Sequence, residues 1–488
     1  MDCLLYKMNP HEKRISLGPL SIWVGGTGFR LLGNRSSSPG TTSSQVSAFA
    51  SAMVVTMNLL LSFVFMFVVF TSSIAMADDQ PFPRRLTLAQ ALSMLDEKHP
   101  RLRTSGLEIK KAEMKRLSLK AEMGTEVDMR LEWRQVDRLM DPGHDFVDDS
   151  RISIFIHKPI SRFGRDSASN QIIDTRMSAL AEHQRRSHLQ MRVDIIRAFF
   201  DVIIADYGYA AIDEEMTLSY LAFDRARDSM DIYEETSEIE VRRLESRYQS
   251  FLVSRLEAAN VQRMSRLRLA LVLNRPNAFP SQVVEPLLSN YERELPDYDE
   301  LFARVLSESP AIARGRLNLE EAEQRLLLVS RKWDPTLGLQ VQGTEYAEHF
   351  SGSRDQYRAV VYLDIPIGQR LRKKADIEQQ QIQVEKARAE LDSLEYRLRE
   401  KVLELVHKLG VLNSEVGAAK AELLYRELEL DKVRLQYEME VRARIGSANA
   451  EVAKALYRQK KAEYERAFVW EEIGALLGGV SFAEGDLN

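Results

Sequence analysis

The stretch Tyr357-Arg358-Ala359-Val360-Val361-Tyr362-Leu363-Asp364-Ile365-Pro366-Ile367 decides the reading of this chain, because the spacing of its apolar residues changes at the proline. Up to that point they alternate. Tyr357, Ala359, Val361, Leu363 and Ile365 fall on one side and Arg358, Tyr362 and Asp364 on the other, which predicts a strand with two unlike faces. Beyond Arg370 the spacing turns helical. Val384, Ala387, Leu391, Leu394, Leu398, Val402, Leu405, Leu409, Leu412, Val416, Ala419 and Leu423 step by three and four, the seam of a coiled coil. The consecutive four-residue steps Leu394, Leu398, Val402 form a stutter that relaxes left-handed supercoiling locally. A strand therefore feeds directly into a helix too long for a single globular core.

The same plan occurs twice. At an offset of 210, His99-Pro100 answers to Ser309-Pro310, Ala112-Glu113 to Ala322-Glu323, and Val127, Met129, Leu131, Trp133 to Leu337, Leu339, Val341, Gly343. At an offset of 207, Ile154, Ile156, Pro159, Ile160 answer to Val361, Leu363, Pro366, Ile367. The sequence predicts a tandem duplication, each half running helix, strand, loop, strand, proline, long helix, turn, long helix. In the first half the strands fall at roughly 126–136 and 151–160, and the long helix carries the seam Leu189, Val193, Ile196, Phe200, Ile203, Tyr207, Ala210. The expected divisions are an N-terminal extension and secretory signal (1–77), a first repeat (78–280), a proline-rich linker (281–297), a second repeat (298–479) and a tail (480–488). The signal is read from the apolar run 59–70 followed by Ala75-Met76-Ala77 and Asp78-Asp79. A transmembrane anchor is the rival reading, but the run is short of the ~20 apolar residues a spanning helix needs.

Composition narrows the function classes. With 28% charged and 8% aromatic residues among 488, the chain suits long exposed helices better than large cores. A formal net charge of -5 offers no bulk basic field for nucleic acid. The lone Cys3 precedes the expected mature start, and the eight histidines are dispersed. No Walker loop, G-x-S-x-G or H-E-x-x-H motif is present, so the sequence predicts no enzyme, metal centre or cofactor.

Val127, Met129, Leu131 and Trp133, with Val361 and Leu363 in the second half, suit lipid. Asp128, Arg130, Glu132 and Arg134 suit a wet barrel lumen. Trp133, Trp333, Tyr346, Phe350 and Tyr357 stand near strand ends, where interfacial aromatics belong. An amphipathic soluble sheet covered by a helix would give the same alternation. Four strands cannot close a barrel alone, so closure without edges requires several copies.

The chain resembles the TolC-type outer-membrane efflux proteins over nearly all of 84–479. The resemblance rests on the duplicated plan, on the strand-to-helix junctions Ile156-His157-Lys158-Pro159-Ile160 and Leu363-Asp364-Ile365-Pro366-Ile367, and on a closing segment with Gly446-Ser447 at a turn, then Glu451-Val452 and Leu476-Leu477-Gly478. It implies a mainly α fold with a small membrane β portion: a homotrimer whose twelve strands share one barrel in the Gram-negative outer membrane, embedded in its lipid. Its long helices continue as a coiled-coil tunnel into the periplasm. It also implies docking to a periplasmic adaptor and an inner-membrane pump, as the passive exit duct of a tripartite efflux or type I secretion system. At the tunnel tip it places Gly446, Glu451 and Lys454, with Lys454 standing where the family pattern has a second acid. Glu451 and Lys454, one helical turn apart, are equally readable as an ordinary exposed pair. A secreted or periplasmic coiled-coil scaffold or adaptor without a membrane barrel is the competing reading of the whole chain.

Overall fold

The computed structural model describes residues 83–95, 98–137, 146–233, 236–346, 356–439 and 445–479. Residues 1–82, 96–97, 138–145, 234–235, 347–355 (Phe350 among them), 440–444 and 480–488 lie outside the described residues, and the expected secretory signal and tail fall there. In chain order the elements are β1 (Arg85–Leu86), α1 (Leu88–Ser93), α2 (Pro100–Glu122), β2 (Glu126–Glu132), β3 (Gln135–Asp137), β4 (Phe146–Asp148), β5 (Arg151–Ser161), α3 (Arg165–Tyr233), α4 (Glu238–Val272), β6 (Gln282–Val283), α5 (Tyr298–Glu308), α6 (Pro310–Arg331), β7 (Thr336–Tyr346), β8 (Tyr357–Asp364), α7 (Arg370–Glu438) and α8 (Ile445–Leu476).

The two halves share one order of helices and main strands, β3 and β4 being an addition of the first half among the described residues. Helices α2 and α6 both begin on a proline at the first helical position, where its missing N–H has no partner to lose. Helices α3 and α7 are both 69 residues long, which at 1.5 Å per residue is about 100 Å. Ser237 opens α4 by accepting a hydrogen bond from the Glu240 amide, and Asp297 opens α5 by accepting from Glu300.

The long helices form a wall one layer deep. Near the strands the order is α2, α3, α6, α7; further away it is α4, α3, α8, α7. On α7, at one edge of the wall, the predicted seam is buried from Leu398 to Ala419 and half-buried at Val384, Ala387, Leu391, Leu394 and Leu423. On α3 the one-sided seam needs correction. Between Met191 and Ile203 burial also takes in Ile195, Phe199 and Val202, whereas Ala210 is exposed and Ala211 takes its place. A helix with neighbours on both flanks is apolar over most of its circumference, so a single stripe under-describes it.

Segment 281–297 is packed across this layer. β6 pairs in parallel with β1, and Tyr291, fully buried, donates its hydroxyl to Glu471 at 2.6 Å. Glu285 accepts hydrogen bonds from Tyr207, Lys460 and Tyr464.

Strands β2, β5, β7 and β8 form one antiparallel sheet in that order. The first strand is shorter than its alternation predicts, ending at Glu132. Trp133 and Arg134 fall in a break before β3, which pairs with β4, and the Asp149 amide closes the break on the Arg134 carbonyl at 2.7 Å. The lipid and lumen assignments of these two residues therefore do not follow from strand alternation. Pro159 does not end its strand either: β5 continues to Ser161 through an irregular register at Pro159, where a residue without an N–H is tolerated. Pro366 does lie just beyond β8.

Candidate functional site

Strand register sorts the sheet into two faces. Val127, Met129 and Leu131 stand opposite Ile156, Ile154 and Ile152. Beyond them Val341, Leu339 and Leu337 stand opposite Ala359, Val361 and Leu363. The pairing Ile156 to Val341 joins these sets into one apolar face. It is uncovered: Val127, Met129, Leu131 and Val361 are 63–67% exposed, and Ile152, Ile154 and Leu363 about half exposed. A soluble sheet of this kind would bury that face under a helix, and among the described residues none does so.

The other face is polar. Arg151 donates from Nε to Glu132 at 2.7 Å, and Ser153 and Thr344 share a buried hydroxyl contact at 3.1 Å across β5 and β7. The Arg130 guanidinium lies over the Phe155 ring at 5.2 Å, and Asp128 pairs in register with Phe155. The predicted lumen residues Asp128, Arg130 and Glu132 thus share one face, and the predicted lipid residues Val127, Met129, Leu131, Val361 and Leu363 share the opposite one.

The joint between sheet and wall uses residues the sequence reading passed over. Each second strand leads into its long helix through a glycine with positive φ, Gly164 (+89°) and Gly368 (+96°), a conformation that costs other residues steric strain. Arg331 at the end of α6 donates to the Gly164 carbonyl at 3.0 Å, and Arg165 reaches back to the Asp334 carbonyl at 3.3 Å. Lys158 donates to the Met123 carbonyl at 3.1 Å and Arg162 to the Glu122 carbonyl at 3.0 Å, placing cations on the negative end of α2. The equivalent joint of the second half is bare, with Ile367 and Leu371 about 85% exposed and nothing within 4 Å of a side chain built on Gly368. A glycine in both strand-to-helix connections was the available signal.

At the far end, Gly446, expected at a turn, belongs to the first helical turn of α8. A Cβ there would sit 2.4 Å from Leu218 Cδ2, so its service is close approach of α8 to α3. Leu218 lies fifteen residues before the end of α3, so this contact falls about four helical turns short of that end. Glu451 and Lys454 are brought together at 3.4 Å within a longer chain of charges. Arg426 on α7 reaches Glu451 at 3.3 Å, and Lys454 also pairs with Glu215 on α3. Burial pushes the Lys454 ammonium down, and Glu215 and Glu451 outweigh it, holding it above its ordinary range. Glu215 and Arg426 lie far apart in sequence and carry no local motif that could have announced them.

Among the described residues no His, Cys, Asp or Glu cluster is arranged to hold a metal ion, and no helix is long and apolar enough to cross a membrane.

A duplicated wall of paired helices capped by an uncovered, two-faced antiparallel sheet is the fold of the TolC-type outer-membrane channels, mainly α with a small β portion. CusC, whose folding and transmembrane channel formation have been described, superposes with a TM-score of 0.65 at 14% identity, over 84% of this chain and 96% of its own. The Campylobacter jejuni outer-membrane channel CmeC gives a TM-score of 0.65 at 11% identity, covering 80% and 86%. The Neisseria gonorrhoeae outer-membrane channel MtrE, in its open state, gives 0.62 at 16% identity, covering 80% and 89%. No family model and no curated protein matches the sequence. At these identities the likeness is one of fold.

Proposed function

We propose that this chain is one protomer of a passive outer-membrane channel, the exit duct of a tripartite efflux or type I secretion system, working as a homotrimer with a periplasmic adaptor and an inner-membrane pump. The observation that carries the proposal is the uncovered apolar face of a sheet whose outer strands, β2 and β8, each have one unpaired edge. Lipid satisfies the face, but neither lipid nor water in a membrane satisfies such an edge, and only closure removes it.

The wall has matching edges. One side of the protomer presents β2, α2 and α4, with Leu107, Leu117, Val253, Leu256 and Val261 exposed. The other presents β8 and α7, with Ile382, Val411, Leu424, Leu428 and Leu435 exposed. Unlike edges meeting head to tail generate a ring, and three copies of four strands supply the twelve-stranded barrel that the TolC resemblance implies. Residues 78–280 and 298–479 are then the two repeats, joined by the strap 281–297. The polar sheet face lines the lumen and the helices extend into the periplasm of a Gram-negative cell. A scaffold or adaptor without a barrel leaves the exposed isoleucines, valines and leucines of the sheet without a purpose.

The test is fractionation followed by mass measurement in detergent and planar-bilayer recording. The proposal expects outer-membrane recovery, a mass of three chains and a conducting pore; a soluble monomer would overturn it.

A further inference from the structure

The helices just below the sheet enclose a groove of about 1260 Å³, lined by one face each of α2, α3, α6 and α7. Four helices lying side by side in one layer can share a single groove only on the concave side of that layer, and in a closed ring the concave side faces the axis. This groove is therefore wall of the conduit, provided the channel proposed above is right.

Its charge has the opposite sign to the chain as a whole. Six basic side chains line it, Lys111, Lys115, Arg176, Arg314, Arg325 and Lys386, against three carboxylates. Glu321 is occupied by Arg325 at 2.5 Å and Arg176 at 3.6 Å, and Glu390 by Lys386 at 3.9 Å. The Arg314 guanidinium sits 3.0 Å from the His183 ring nitrogen, and Lys111 and Lys115 make no ion pair among the described residues. The groove thus carries a surplus of three positive charges per chain although the protein is net negative. Repeated around a ring, the surplus forms a belt, and a concave low-dielectric wall focuses such a field. Between the cations stand Ile172, Ile173, Leu180 and Leu328, an apolar floor. Exposed Lys111 and Lys115, on flexible stems, give non-directional attraction, so the surface binds anions reversibly rather than fixing one in a single pose.

We infer that this belt is a binding surface for amphipathic organic anions carrying several sulfonate, phosphate or carboxylate groups, and that such anions are a cargo class of the channel.

The test uses the full mature chain purified in detergent and the trisulfonated pyrene dye pyranine, with binding read by fluorescence anisotropy. Pyranine should bind, and the affinity should fall by about tenfold or more in the double variant Lys111→Glu, Lys115→Glu, since focused charge of this kind changes local ligand concentration by ~10–10³. Binding should also weaken as salt rises from about 0.1 to about 1 M, which shortens the Debye length from ~10 to ~3 Å. Both substitutions lie on exposed positions, and circular dichroism checks that the helices survive. Equal pyranine affinity in wild type and double variant, or no binding by wild type, overturns the inference. The mass of the assembly, measured on the same sample, reports separately on the channel reading: a ring of three with no pyranine site rejects the belt alone, and a monomer rejects the channel.

Discussion

Arg197 on α3 grips Glu465 on α8 in a two-pronged ion pair, its Nη1 and Nη2 donating to the two carboxylate oxygens at 2.8 and 2.9 Å. Its Nε reaches Asp201 at 3.0 Å, and its guanidinium lies 4.8 Å from the centre of the Phe468 ring. This pair locks the first long helix to the closing helix midway along the wall.

Removing one prong should be measurable. Glu465→Gln is expected to lower stability at neutral pH by about 1–2 kcal/mol, the lower part of the range for a hydrogen bond to a charged group, because Arg197 is partly exposed and screened. Burial pushes the Glu465 carboxyl up, and Arg197, Lys408 and Lys461 together outweigh it and hold it below its ordinary value of 4.5. A depressed carboxyl contributes stability that is present above the ordinary value and is lost as pH falls through the depressed one. Asp201 is raised by burial and acts in the opposite sense. Thermal melts below pH 4.5 should therefore fall more steeply for wild type than for Glu465→Gln; parallel curves would show the pair to be inert.

The two sheet faces should respond differently to charge. Met129 lies mid-strand opposite Ile154 on the apolar face, and Met129→Arg should cost ~2–4 kcal/mol per chain at the bilayer midplane. Arg130→Lys, on the polar face, loses only an exposed stacking contact worth about 0.5–1 kcal/mol. Heat-modifiability on gels and outer-membrane yield should separate the two variants, and a similar response from both would mean the faces are misassigned.

The fold was legible in the sequence wherever a period was uninterrupted. Alternation from Val127 to Leu131 and the seam from Leu398 to Ala419 both translate directly, because each residue there has one neighbour layer to answer to. Legibility fails where a residue answers to several. The middle of α3 is packed from both flanks, so its stripe broadens, and Ala210 is displaced from the seam. Pro159 reads as a strand end by propensity but is absorbed in an irregular ladder, and Gly446 reads as a turn residue but is used for helix approach. Glu451 and Lys454 could be paired from their spacing, whereas Glu215 and Arg426 join them only through tertiary packing.

That charge chain spans three helices, from Arg426 on α7 through Glu451 and Lys454 on α8 to Glu215 on α3. Lys454→Gln should loosen the contact of α8 with α3 and raise the open probability of the reconstituted channel, whereas Arg458→Gln, which breaks a pair between α8 and α7 alone, should not. Single-channel recording distinguishes them. Unchanged gating in Lys454→Gln would reduce the chain to ordinary surface pairing, worth ~0–1 kcal/mol.

In the proposed ring of three, β2 of one copy borders β8 of the next. Replacing Cys3 by serine and introducing Met129→Cys and Val361→Cys together puts one thiol on each outer strand, and a flexible bismaleimide applied to intact cells can join neighbours only across that boundary. A ring of three should give a covalent ladder that ends at three chains and fractionates with the outer membrane, with no ladder beyond two chains when either cysteine is present alone. A ladder that stops at one or two chains in the double variant, or cross-linked protein recovered only in the soluble fraction, would contradict it.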